Sequence, residues 1–278
     1  MHVFYRILNF YLNSSIHVAL AIVCLTSLTC LEFEIDINSK LLWFVFFASV
    51  TGYNFVKYFG LAKLHHRSLA TWLKPIQVFS LFSFVAMIYF GSFLNKRELF
   101  LIAGLALLTF LYTIPFFPKN FIKDNIKNLR AISGLKIYII ALVWSVTVVF
   151  LPLINANYPV DFDVYLSLFQ KFLFVIVIMF PFEIRDLKND SLKLLTVPQQ
   201  IGIKRTKQIG VVLLVLLFLL EFFKDLFKAE AIVILGLICI VTLFFLKGST
   251  IYQKKYYSAF WVESIPVIWF GLYLILVK

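Results

Sequence analysis

The chain has 278 residues, of which 62% are hydrophobic and 14% charged, and its mean hydropathy is +0.94. Soluble domains are about 45–50% apolar and about 25% charged, so this composition excludes a soluble globular enzyme, a disordered tail and a nucleic-acid-binding domain. The formal charge of +12 does not restore nucleic acid as a partner, because modules that bind phosphate backbones are not built from continuous apolar runs.

Apolar stretches of the roughly 20 residues that a membrane helix needs recur along the chain. They fall at 16–31, 41–59, 76–94, 99–117, 135–154, 164–182, 206–223, 229–246 and 259–277, with Gln170 and Lys171 interrupting the first half of the sixth. The first is not a cleavable signal, since acidic Glu32, Glu34 and Asp36 follow it in place of a small-residue cleavage site. Continuous apolarity, without alternation, excludes a β-barrel. The connections are short, so the expectation is one all-α polytopic membrane domain over 1–278 with nine transmembrane helices. Cys24, Cys30 and Cys239 show neither CxxC nor metal-ligand spacing, and four histidines are too scattered for a metal cluster.

Loops on the cytoplasmic side of a membrane collect Lys and Arg. If the N-terminus is cytoplasmic and nine spans alternate, 19 of the 26 Lys and Arg residues fall inside and most acidic residues fall outside. This predicts a cytoplasmic N-terminus and an outside C-terminus in a membrane of the bacterial inner-membrane type. Orientation accounts for most of the asymmetry, yet the inside loops after spans two, four and six carry more cations than orientation requires.

After span six the chain reads Pro181-Phe182-Glu183-Ile184-Arg185-Asp186-Leu187-Lys188-Asn189-Asp190. If the span continues as a helix, Glu183, Asp186 and Asp190 lie on one face, a turn apart. Like charges at this spacing repel. A cation between them removes the repulsion, and Mg²⁺ suits such a place because it bridges one or two carboxylates to substrate phosphates. Spacing alone equally allows a solvated helix end paired through Arg185 and Lys188.

Downstream come Thr196-Val197-Pro198 and Gly202, then Lys204, Arg205 and Lys207. This order resembles the second aspartate motif of the UbiA superfamily of intramembrane prenyltransferases. After span four, Tyr112-Thr113-Ile114-Pro115 followed by a basic loop and Gly134-Leu135-Lys136 is similar to a second stretch of that family. The resemblance implies nine helices around a central cavity roofed by cytoplasmic loops. It implies Mg²⁺-dependent transfer of a prenyl group from a prenyl diphosphate to a lipophilic acceptor within the lipid bilayer. Asp186 and Asp190 would hold the metal and act in catalysis, with Glu183 an outer ligand. Asn54, Lys57, Tyr112, Arg130 and Lys136 would contact the substrate.

The resemblance breaks at the first motif, which in the family is close to NDxxDxxxD. Here Asn54 matches, but Phe55, Tyr58 and Ala62 occupy the aspartate positions. One reading is a divergent enzyme in which Lys57 replaces a metal-bound carboxylate by binding phosphate as a point charge. The alternative is a non-catalytic homologue that binds an isoprenoid or its phosphate, or serves as a membrane partner or scaffold. A transporter is disfavoured, because Pro115, Pro152 and Pro181 sit at span ends and do not interrupt the helices.

Glu263 is the clearest ionisable residue inside a span, and such residues usually face a cavity or a partner. About one turn into its helix, it could equally snorkel to the interface. His17, at the start of span one, is assigned to the interface or a cavity. Lys204, Arg205 and Lys207 suit anionic lipid headgroups. Trp43, Trp72, Tyr112, Tyr252, Tyr257 and Trp261 suit interfacial anchoring.

Overall fold

Backbone polar groups in lipid must be satisfied within the chain, so continuous apolar runs fold as helices. The structure, a computed structural model, describes residues 2–64, 73–114, 134–188, 196–225 and 228–277. Among these residues there are helices and no strands. In chain order they are α1 (His2–Asn13), α2 (Ile16–Glu32), α3 (Ser39–Leu64), α4 (Lys74–Gly91), α5 (Lys96–Thr113), α6 (Leu135–Asn155), α7 (Phe162–Asp186), α8 (Val197–Leu220), α9 (Ala229–Gly248) and α10 (Ile265–Leu276). A 3-10 turn (Glu221–Phe223) extends α8, and a π-helical segment (Tyr257–Val262) precedes α10.

Helices occupy each of the nine apolar stretches, and the protein is a multi-pass membrane protein. Among the described residues six helical segments are long and apolar enough to cross a membrane: α4, α6, α7, α8 with its 3-10 turn, α9, and Tyr257–Leu276. A seventh is added if α1 and α2, bent by 56° at their junction, count as one span. Helix α5 falls short because three of its 18 residues are Lys96, Arg97 and Glu98, and α3 because polar residues interrupt it from Ser49 to Asn54.

Neighbours in sequence pack as neighbours in space: α2 on α3, α3 on α4, α5 on α6, α6 on α7, α7 on α8, α8 on α9 and α9 on α10. Helix α10 packs back on α2, and α6 also touches α2. Alternating directions give the bundle two ends. One carries Ser15, Lys57, Arg185 and the π-helical segment; the other carries Glu32, Glu98, Asn155 and Lys171.

At the Lys171 end, Asn95 N donates to Glu98 Oε2 at 2.8 Å, capping α5. Glu98 Oε1 accepts from Asn155 Nδ2 at 2.8 Å, and Asn155 Oδ1 accepts from Asn38 Nδ2 at 3.0 Å. This chain ties α3, α5 and α6. Lys171 and Gln170, the residues that break the sixth apolar run, are both buried. Lys171 pairs with Glu32 of α2, and Gln170 Nε2 donates to Glu221 Oε2 at 2.9 Å. A helix thus tolerates polar groups in its apolar half by pairing them across the bundle.

Candidate functional site at the Lys57 end

The site begins at the bend between α1 and α2. Ser15 holds φ at +63°, a left-handed conformation uncommon for a residue with a Cβ. Tertiary contacts enforce it. Ser15 Oγ donates to Asn54 Oδ1 at 2.8 Å, and Asn54 Nδ2 donates to Ser14 O at 3.1 Å and to Ser80 Oγ at 2.8 Å. Asn54 is therefore buried, and it joins the bend to α3 and α4. One turn on, exposed Lys57 donates from Nζ to Ser15 Oγ at 2.8 Å. This stretch of α3 thus does two things. Its amide is structural, and its lysine presents a charge held by a neutral hydroxyl.

His17 lies just below the bend. Tyr11 OH is 2.8 Å from its Nδ1, and its Nε2 is 2.9 Å from Phe260 O. The carbonyl can only accept, so Nε2 carries a proton. His17 is a buried contact between α1, α2 and the π-helical segment.

Of the acidic constellation, Glu183 and Asp186 are among the described residues. Helix α7 ends at Asp186, one turn after Glu183. Glu183 is fully buried and its Oε2 accepts from Val197 N at 3.3 Å, at the first turn of α8. A carboxylate there meets the positive end of the helix. Its placement is that of a clamp between α7 and α8. Asp186 Oδ1 accepts from Arg185 Nε at 2.7 Å. The Thr196–Gly202 stretch is the capped start of α8: Thr196 N donates to Gln199 Oε1 at 2.9 Å, and the helix breaks at Gly202, where φ is +80°.

No group of three His, Cys, Asp or Glu side chains among the described residues is placed to hold a metal ion. The chain contains no Asp or Glu at all between Asp36 and Glu98, so neither α3 nor the connection to α4 offers a carboxylate. Asp190, the expected second ligand, and Arg130 lie outside the described residues. The described residues by themselves do not form such a site.

Arg185 and Glu263 complete the site. Arg185 Nη1 donates to Ser258 Oγ at 3.3 Å, and Gln253 Nε2 links Ser258 Oγ and Pro181 O, each at 2.9 Å. Half-buried Glu263 follows the π-helical segment, and its N donates to Ser258 O at 3.2 Å. Sequence reasoning flagged Glu263 only as an isolated charge and treated Arg185 as a partner for acids on its own helix. The π-helical segment brings Arg185 and the Glu263 backbone to the same residue, Ser258.

Beside this end lies a pocket of about 500 Å³ between α3, α4, α5 and α6. Its walls are apolar and aromatic. Phe55 and Phe110 stack with ring centroids 6.4 Å apart, and Trp144 Nε1 donates to Tyr53 OH at 2.6 Å. Tyr112 is buried and lines this pocket, so it is not an interfacial anchor. The pocket runs along α3 from Phe44 to Val56, a length of about 18 Å at helical rise. Val56 directly precedes Lys57, so the apolar wall ends where the charge begins. Lys136 lies on the first turn of α6 at the same end.

No known protein family matches the chain, and no curated protein sequence matches it. Among solved structures it is similar to a digeranylgeranylglyceryl phosphate synthase in membranes, with a TM-score of 0.57 and 15% sequence identity. The match covers 98% of this chain and 96% of that one. At this identity the likeness is one of fold, an all-α membrane architecture.

Proposed function

We propose that the protein is a divergent intramembrane prenyltransferase that binds a prenyl diphosphate at its Lys57 end and transfers the prenyl group to a lipophilic acceptor. The observation that carries this reading is the apolar pocket of about 500 Å³ whose wall along α3 ends at Lys57. Pockets of about 300–1,000 Å³ suit small ligands. The fold shared with a digeranylgeranylglyceryl phosphate synthase supports the reaction class. The proposal includes nine crossings, a cytoplasmic N-terminus and Lys57 end, an outside C-terminus and a bacterial-type inner membrane.

In this reading the prenyl chain lies along α3 among Phe55, Phe110 and Tyr112. The diphosphate faces Lys57, Arg185 and Lys136. The allylic C–O bond breaks, and its electron pair leaves with the diphosphate, where the fixed cations stabilise the growing negative charge. The faces of Tyr53, Phe55 and Trp144 stabilise the allylic cation. The acceptor attacks that carbon and releases a proton.

A second reading is a non-catalytic isoprenoid-binding homologue or membrane scaffold. It is favoured by one observation: Asp186, half of the expected catalytic pair, is engaged by Arg185 at 2.7 Å. Pyrophosphate release by the purified protein across farnesyl, geranylgeranyl and longer diphosphates separates the two. Release above an Asp186→Asn/Asp190→Asn control supports transfer. Release equal to a protein-free blank with every donor moves the assignment to binding.

A further inference from the structure

Consecutive helices from α2 to α10 pack in turn, and α10 returns to α2. Among the described residues one seam of that circuit is the exception. Helices α4 and α5 are joined at the Lys171 end by the short turn 92–95, yet they do not pack on one another along their lengths. Each leans on α3 instead. Phe82 and Phe90 of α4 meet Phe47 with ring centroids 5.9 Å apart in both pairs, and Phe110 of α5 stacks on Phe55. Joined at one end and unpacked beyond it, the two helices leave a seam that runs toward the Lys57 end.

Behind the seam lies the apolar pocket. Helix α5 lines it with Ile102, Leu105, Ala106, Thr109 and Phe110, the i, i+3, i+4, i+7, i+8 stripe that a bundle helix ordinarily buries against a neighbour. Helix α4 adds Phe84 and Met87, one turn apart. Three of these residues are wall and surface at once: Phe84 is 45% exposed, Phe110 is 46% exposed, and Ala106 is exposed with them. Such residues stand at a mouth. Around it on α4, a membrane-spanning helix, Leu81, Val85 and Ile88 face outward, so the mouth opens onto lipid.

A seam along the membrane normal suits an amphiphile. Entry from the aqueous end alone takes the apolar chain through water, and entry through a hole in mid-membrane takes the charged head through hydrocarbon; both are costly. A chain that slides sideways between two helices keeps its head at the level of the surface throughout. We propose that the isoprenoid chain enters and leaves the pocket sideways from the bilayer, through the seam between α4 and α5, with Phe84, Ala106 and Phe110 at its mouth. The proposal rests on the reading above that the pocket takes an isoprenoid chain, and adds the route and the residues that control it.

The test is the kinetics of binding to the full chain in phosphatidylcholine vesicles. The probe is a geranylgeranyl diphosphate analogue with a fluorescent anthranilate at the far end of its chain, read by energy transfer from tryptophan. Ala106→Trp fills the mouth. Association and dissociation are both expected to slow about tenfold, while the affinity, their ratio, stays within about threefold of the parent. Phe84→Ala widens the mouth and is expected to speed both. Ile240→Trp, at an outward position on α9 away from the pocket, is expected to change neither. Each variant is read only after its elution profile matches the parent.

Rates that move together at constant affinity mark a passage, whereas a residue that only builds the pocket moves the affinity. Affinity lost in Ala106→Trp with association unchanged makes Ala106 a wall and overturns the route. Rates unchanged in both Ala106→Trp and Phe84→Ala overturn it as well, and leave the isoprenoid reading standing. A parent protein that does not bind the probe overturns that reading and the route together.

Discussion

Lys171 Nζ lies 2.8 Å from Glu32 Oε1, joining the middle of α7 to the end of α2 inside an apolar bundle. The ammonium also sits 3.9 Å from the centre of the Trp269 ring on α10, so three helices meet at one charge. The lysine side chain is 2% exposed and the glutamate 14%. Removing one member strands the other, whereas removing both leaves an apolar gap. Lys171→Met is therefore expected to cost about 3–5 kcal/mol of stability, and Glu32→Gln/Lys171→Met to regain most of it. Thermal unfolding of the four proteins in one detergent closes the cycle. Additive losses in the double variant would show that the pair is not coupled.

Asn54 makes three hydrogen bonds, to Ser14, Ser15 and Ser80, from a buried position. Asn54→Ala leaves those groups without their partner and frees the left-handed Ser15. A loss of about 1–3 kcal/mol is expected, with faster proteolysis at the α1–α2 junction than in the parent. Cleavage rates unchanged within error contradict the assignment of Asn54 as the tie between the bend and the bundle.

Gly52 lines the pocket on α3, and a Cβ built on it meets nothing within 4 Å. Its backbone is helical, so Gly52→Leu is allowed sterically and gains up to about 1 kcal/mol of helix propensity. The new side chain occupies pocket volume. Binding of geranylgeranyl probes is expected to fall about tenfold, with stability equal to or above that of the parent. Unaltered binding in a stable Gly52→Leu protein would place the isoprenoid chain elsewhere.

Gly210 is the opposite case. A Cβ there would stand 2.5 Å from Leu246 Cδ2 and 3.2 Å from Phe180 Cδ2, where α7, α8 and α9 approach closely. Leu246 and Phe180 are themselves buried, so neither can swing into open space. Gly210→Ala is expected to cost about 1–3 kcal/mol, whereas Gly104→Ala, with nothing within 4 Å, is expected to be neutral or stabilising. Melting curves of the two variants in detergent decide it.

The helices were legible because a run of about 20 apolar residues in lipid has few other solutions. Helix α1 was not read as an element, since 12 residues with Arg6 and Asn9 fall below any spanning length. The Gly202 break was also invisible, because Thr196-x-Pro198 signals a turn without saying that it opens a helix. At the site, spacing singled out Glu183 and Asp186, and the family resemblance singled out Asn54 and Lys57. What Glu183 does depends on Val197 N, fourteen residues away, and what Lys57 does depends on Ser15, 42 residues away. Pairings of that range carry no local pattern. Lys171 shows the same limit: an interruption in an apolar run was evident, and its partner Glu32 was not.

The account stands on an isoprenoid chain lying between α3, α5 and α6 with its phosphate at Lys57. Photo-cross-linking with a diazirine-bearing geranylgeranyl diphosphate, followed by peptide mapping, tests this most directly. Labels are expected on Thr51, Phe55, Thr109 or Ile140, which line the pocket, and an excess of unlabelled geranylgeranyl diphosphate is expected to suppress them. Labels confined to outward-facing residues such as Phe244 and Ile275, unchanged by the competitor, would contradict it.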